Sequence, residues 1–84
     1  MELKLGTVDD YFAKVSVITF RVEDELSVGD TIHVKGHTTD FTQTVTSMQI
    51  EHANVDKAKK GDSIGIKCTE RVRKGDIVYK VLPE

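Results

Sequence analysis

Gly61-Asp62-Ser63-Ile64-Gly65 fits the Gly-x-Ser-x-Gly spacing of a nucleophile elbow, where a sharp strand-to-helix turn lifts a serine toward a His–acid pair. Here a β-branched run follows the serine, and 84 residues cannot build an α/β-hydrolase sheet, so Ser63 is expected to be a turn residue at the head of a strand. The three histidines, His33, His37 and His52, raise the question of a metal. On an extended strand His33 and His37 stand about 13 Å apart at 3.3 Å per residue, too far to share one ion unless Gly36 bends the chain sharply. They are expected to be solvent-facing or locally hydrogen-bonded, and neither a metal nor another cofactor is expected. Cys68 alternates with Ile64 and Ile66 as a buried strand residue would, which keeps a thiol inert. Asp9-Asp10 and Glu23-Asp24-Glu25 read as solvated acidic loops. No glycine is followed by lysine and no two glycines are separated by one residue, so neither a phosphate-cradling P-loop nor a dinucleotide fingerprint is present, and GTP binding is not expected. The chain is expected to be non-enzymatic.

Charge is the remaining chemistry. Lys plus Arg number 12 against 14 for Asp plus Glu, and the balance is uneven: residues 1 to 42 carry four basic and eight acidic side chains, residues 43 to 84 eight basic and six acidic. Lys57, Lys59 and Lys60 cluster in one connection and Arg71, Arg73 and Lys74 in the next, where two loops at one edge of a fold would present cations to phosphates. These six are the candidate RNA contacts. The stretch Gly36, His37, Thr38, Thr39, Asp40 and Phe41 is the candidate loop for a protein partner.

The elements that position these residues are strands. Val, Ile and Thr make 26 of 84 residues, whereas Ala, Leu and Met make nine, which is a strand composition. Period-two alternation places Ile32 with Val34, Ile64 with Ile66 and Cys68, and Ile77 with Tyr79 and Val81. In three further segments it shifts by one residue, around Gly6, between Val17 and Ile18, and after Val45, as β-bulges do when a sheet curves. Gly29-Asp30, Gly61-Asp62 and Gly75-Asp76 each precede a β-branched run, which marks three turns leading into strands. The pattern predicts strands at about 3 to 9, 14 to 22, 31 to 36, 42 to 52, 63 to 69 and 76 to 82, with room for a helical turn only at 53 to 60. The fold class is therefore all-β, a Greek-key barrel or sandwich of six short strands in a single domain spanning residues 1 to 84.

Length bounds the rest: a domain of this size buries only roughly 60 to 65% of its unfolded surface, so a deep active site competes with the core for residues. The longest apolar stretch, Val15 to Phe20, is too short to span a bilayer, so no membrane association is expected. Glu2 follows Met1 with no secretory pattern and Cys68 is the only cysteine, both of which fit a cytoplasmic, reducing compartment.

Taken in order, Gly6-Thr7-Val8, Leu26-x-Val28-Gly29-Asp30-x-Ile32, Val45-Thr46-Ser47-Met48-Gln49-Ile50, Val55-x-x-Ala58-x-x-Gly61-Asp62-x-Ile64-Gly65-Ile66 and Gly75-Asp76-Ile77-Val78 resemble the second domain of translational GTPases. The stretch Lys35 to Gln43 resembles the small stand-alone proteins called translation elongation factor-like. That resemblance implies an all-β, six-stranded Greek-key closed β-barrel, and a module contacting tRNA or ribosomal RNA. A related barrel resembles the C-terminal domain of collagenase-like peptidase-family proteins, some of which modify RNA bases. That second resemblance implies an accessory, protein-interacting subunit.

Overall fold

A computed structural model describes residues 1–83. The strands in chain order are β1 (Glu2–Thr7), β2 (Asp10–Phe12), β3 (Val17–Arg21), β4 (Leu26–Ser27), β5 (Thr31–Lys35), β6 (Asp40–Thr44), β7 (Met48–Ile50), β8 (Ala53–Asn54), β9 (Lys57–Ala58), β10 (Ser63–Lys67) and β11 (Ile77–Val81). One sheet runs β1-β11-β5-β6, a second β2-β3-β10-β7-β8, and a two-stranded ribbon joins β4 to β9. Every pairing is antiparallel. The fold is all-β, and among the described residues no helix is long and apolar enough to cross a membrane.

The alternation is physical, because successive side chains leave a strand on opposite faces. Ile32 and Val34 on β5, Ile18 and Phe20 on β3, and Ile64 and Ile66 on β10 all point into one core, together with Leu5, Phe41, Met48 and Val78. The expected bulge lies in β1, where the register against β11 shifts between Lys4 and Gly6. It brings Gly6 so close to β3 that a Cβ there would sit 2.6 Å from the Arg21 carbonyl oxygen. Backbone bonds then cross between the sheets, from Asp9 N–H to the Thr19 carbonyl at 2.8 Å and from Glu23 N–H to that of Leu5 at 2.6 Å.

All three Gly-Asp turns are built alike. Gly29, Gly61 and Gly75 have φ of 100°, 97° and 95°. In each, the following aspartate donates its N–H to the carbonyl three residues back, at 3.0 to 3.1 Å, and its carboxylate accepts that residue's own N–H at 2.8 to 3.0 Å. Glycine at the third position of such a turn supplies the left-handed backbone that a side chain would strain.

Several expectations need correction. Residues 53 to 60 hold no helical turn but the short strands β8 and β9. The segment expected as one strand at 42 to 52 is divided, because the chain leaves the first sheet after Thr44 and joins the second at Met48. The shift between Val17 and Ile18 is no bulge: residues 13 to 16 form the turn of a hairpin whose strands are β2 and β3, so Val15 lies in that turn and Val17 on the outer face. On β11 the buried residue is Val78, opposite Val34, while Ile77, Tyr79 and Val81 lie half-buried on the outside.

Candidate functional site

Register decides where the cations go. β1 and β3 run antiparallel, with Leu5 beside Glu23 and Thr19 beside Asp9. The Lys59–Asp62 turn feeds Ser63, which pairs with Arg21 at the late end of β3, and its Gly61 N–H donates to the Val22 carbonyl. The Arg73–Asp76 turn feeds Ile77, which pairs with Thr7 at the late end of β1, and its Gly75 N–H donates to the Val8 carbonyl. The two turns therefore sit at opposite ends of the molecule. Lys57, Lys59 and Lys60 are exposed at one end and Arg71, Arg73 and Lys74 at the other, so the six do not form one basic edge.

The candidate partner loop is largely committed to the fold. Phe41 is 7% exposed and Thr39 6%, and the Thr39 carbonyl accepts the Gly36 N–H at 2.7 Å. Asp40 accepts from His33 Nε2 at 2.5 Å while Glu2 holds His33 Nδ1 at 2.6 Å. This clamp ties β1 to β5 across β11 and β5 to β6, with the Tyr79 ring centroid on β11 6.2 Å from that of the imidazole. The Asp40 bond raises the His33 pKa above its ordinary value; burial opposes this, and Glu2 adds to it. His37 and Thr38 are exposed, as is Asp40 at the start of β6, and Arg71 and Glu70 line the same surface depression.

The remaining candidates are ordinary. Cys68 is buried, and its burial pushes the thiol up to about 11. Among the described residues no cluster of His, Cys, Asp or Glu is arranged to hold a metal. Ser63 begins β10 as expected. It lines the same surface groove as His52, but the two share no hydrogen bond.

That groove is the feature sequence reasoning missed. It lies on the outer face of the second sheet, with one lobe of about 460 Å³ and an adjoining lobe of about 330 Å³. Thr19, Gly65 and Gln49 stand in one cross-strand row and Phe12, Val17 and Lys67 in the next. Gly65 has no side chain, and a Cβ there would lie 3.3 Å from Val17 Cγ1, so Val17 leans over the glycine and a notch opens at the middle of β10 between Val17 and Gln49. Phe12 and Val15, 49% and 56% exposed, project from the β2–β3 hairpin as its wall. Solvent-facing apolar side chains grouped around a concavity are an interaction signature, where single ones are not. The signals available in the sequence were a glycine inside a strand and two large apolar residues out of phase with the core.

The chain matches no family model. It is 42% identical over 79 residues to a protein of Methanocaldococcus jannaschii named as an uncharacterized protease, and these cover 93% of the chain and 19% of that protein. It is 39% identical over 81 residues to a collagenase of Porphyromonas gingivalis, covering 94% of the chain and 20% of the collagenase. The chain thus spans about a fifth of the length of the curated relatives it matches. In fold it is similar to the C-terminal domain of a Geobacillus thermoleovorans U32 peptidase, with a TM-score of 0.86 at 19% identity over 96% of this chain and 93% of that one. The selenomethionine variant of that domain gives 0.84 at 18% identity, over 89% and 95%. These likenesses correct the reading drawn from translation factors: these similar proteins are named protease, collagenase and U32 peptidase, and the RNA-binding assignment falls with that reading. The expectation drawn for a non-enzymatic protein is likewise corrected, since the relatives that align with this chain are named protease and collagenase, proteins of which it spans about a fifth. The second resemblance, to the collagenase-like peptidase group, fits the findings better.

Proposed function

We propose that the chain is the polypeptide-holding β-module of a U32-type peptidase, in which the groove over Gly65 presents an extended protein segment to the peptidase's reacting centre. The observation that carries this reading is the groove: exposed Phe12 and Val15 flank an unfilled notch on an otherwise regular sheet face. Its apolar lining with a few polar groups, Gln49 and Thr19, suits a peptide backbone and its side chains. Relatives named protease and collagenase align along nearly the whole chain, and both names denote proteins acting on polypeptide.

The sheets fit one closed six-stranded barrel in ring order β3-β1-β11-β5-β6-β10. The β1–β3 backbone bonds support one seam. At the other, the Gln43 side chain bridges β6 to β10, donating to the Lys67 carbonyl at 2.8 Å and accepting the Thr69 N–H at 2.7 Å.

The test is a titration of isotopically labelled chain with gelatin, followed by amide shifts. Shifts confined to Thr19, Gln49, Gly65 and their neighbours are expected, and Gly65→Leu, whose side chain pushes Val17 aside and covers the notch, should abolish them while the amide pattern of the other sheet is retained. Shifts at the Lys59–Asp62 or Arg73–Asp76 turns with none in the groove refute the reading, as does a Gly65→Leu chain that binds as before.

A further inference from the structure

Gly65 marks the middle of the groove and its two ends carry opposite charges. Lys67 lines one end. Glu51 lines the other, beside His52 and Ser63. Ser63 and Lys67 are the first and last residues of β10, so the floor is about 13 Å long at 3.3 Å per residue, the span of about four residues of extended peptide. Neither Lys67 nor Glu51 takes part in an ion pair among the described residues, so both charges are free to meet a ligand. Arg21 pairs with Ser63 in register but does not line the groove.

Backbone conformation singles out the same place. Among the described residues the non-glycine positions with left-handed φ are Ser16 at 57°, Glu51 at 50° and His52 at 67°. Glu51-His52 is the two-residue loop between paired Ile50 and Ala53. A tight hairpin of that length asks for positive φ at both central residues, which is why Asn-Gly is the favoured filling. Here glutamate and histidine occupy it, and both side chains line the groove. Ser16 sits in the other hairpin turn, next to the wall residue Val15. The three turns that carry glycine lie elsewhere and obey the local rule. Strained non-glycine residues held around one concavity fit a binding rim kept for its side chains.

Resting on the polypeptide-holding reading, we infer that the groove is polarised and selects an extended segment of about four residues, acidic at its Lys67 end, large and apolar over Gly65, and basic at its Glu51 end. The apolar centre supplies grip through Phe12, Val15 and Val17, and the two charges set the register and direction of the strand laid across them.

Fluorescence anisotropy of labelled, end-capped hexapeptides with the full chain tests this. The peptides share a Phe-Leu centre and differ at the flanking positions: Asp and Lys in either order, Asp at both, Lys at both, or Ser at both. One mixed order is expected to bind about ten-fold tighter than the Ser peptide, roughly three-fold for each rim-exposed charge pair, and the advantage should shrink at high salt. Glu51→Lys should move the preference to the doubly acidic peptide, and Lys67→Glu to the doubly basic one. Both side chains are exposed, so an unchanged melting temperature confirms that the variants fold. Equal affinities for all the peptides, or a preference that ignores both reversals, overturn the polarity while leaving the polypeptide-holding reading intact. No binding of any peptide at millimolar concentration overturns both.

Discussion

Gly36 lies in the loop that the sequence offers to a partner, yet the structure gives it a packing duty that a single methyl group would break. A Cβ on Gly36 would lie 2.0 Å from Asp76 Oδ1 and 2.5 Å from its Cγ. Asp76 is 6% exposed, and its other oxygen accepts the Arg73 N–H at 2.9 Å, closing the turn into β11. Reaching an ordinary contact of 3.4 Å requires the carboxylate to retreat by 3.4 − 2.0 = 1.4 Å, which carries it out of hydrogen-bond range of Arg73. Losing a hydrogen bond to a charged acceptor in a buried setting costs about 1.5 to 3 kcal/mol. In a domain of this size Gly36→Ala should therefore lower the melting temperature by roughly 6 to 24 °C. A double-mutant cycle checks the cause. Asp76→Ala alone should cost about the same, because it deletes the same bond, but adding Gly36→Ala to Asp76→Ala should cost less than about 0.5 kcal/mol once the carboxylate is gone. Chemical denaturation of the four proteins measures this, and additive costs would refute the reasoning. Lost partner binding in Gly36→Ala is, on this account, a defect of the fold.

The His33 clamp makes stability depend on pH in one direction. Its folded pKa is raised above the ordinary 6.5, chiefly by Asp40. The contribution is complete below 6.5 and is lost as pH rises through the raised value, so a melting series upward from pH 6.5 should decline, with the slope removed in His33→Gln. Placing Asn at Glu51 and Gly at His52 should raise stability by about 0.5 to 1 kcal/mol, because the left-handed turn is then filled by residues that tolerate it. The same pair should cut the roughly ten-fold preference among peptides to about the three-fold share of Lys67, and a gain in stability with the full preference intact would show that the Glu51 and His52 side chains take no part. Cys68, buried with its thiol at about 11, should resist a neutral-pH thiol reagent until denaturant unfolds the chain, and rapid labelling of native protein would contradict the packing just beyond β10.

The sequence by itself determined the class of the fold and its punctuation. The β-branched excess, the alternation at Ile32/Val34 and Ile64/Ile66, the bulge at Gly6 and the Gly-Asp turns are all set by sterics within a few residues, so they can be read along the chain. It misjudged Val15 to Ile18, the 42 to 52 segment and the helical turn at 53 to 60, because each depends on which neighbouring strand the chain meets. The functional surface depends on the same pairing. Lys60 and Lys74 look equivalent in sequence, each in a turn of the same design, and only the antiparallel run of β1 against β3 sends them to opposite ends. Phe12, Gly65 and Glu51 are far apart in the chain and carry no joint signal, yet β3 and β10 bring them around one groove. Local steric preferences act over two to four residues, whereas a binding surface is assembled by strand register, which the whole core fixes at once.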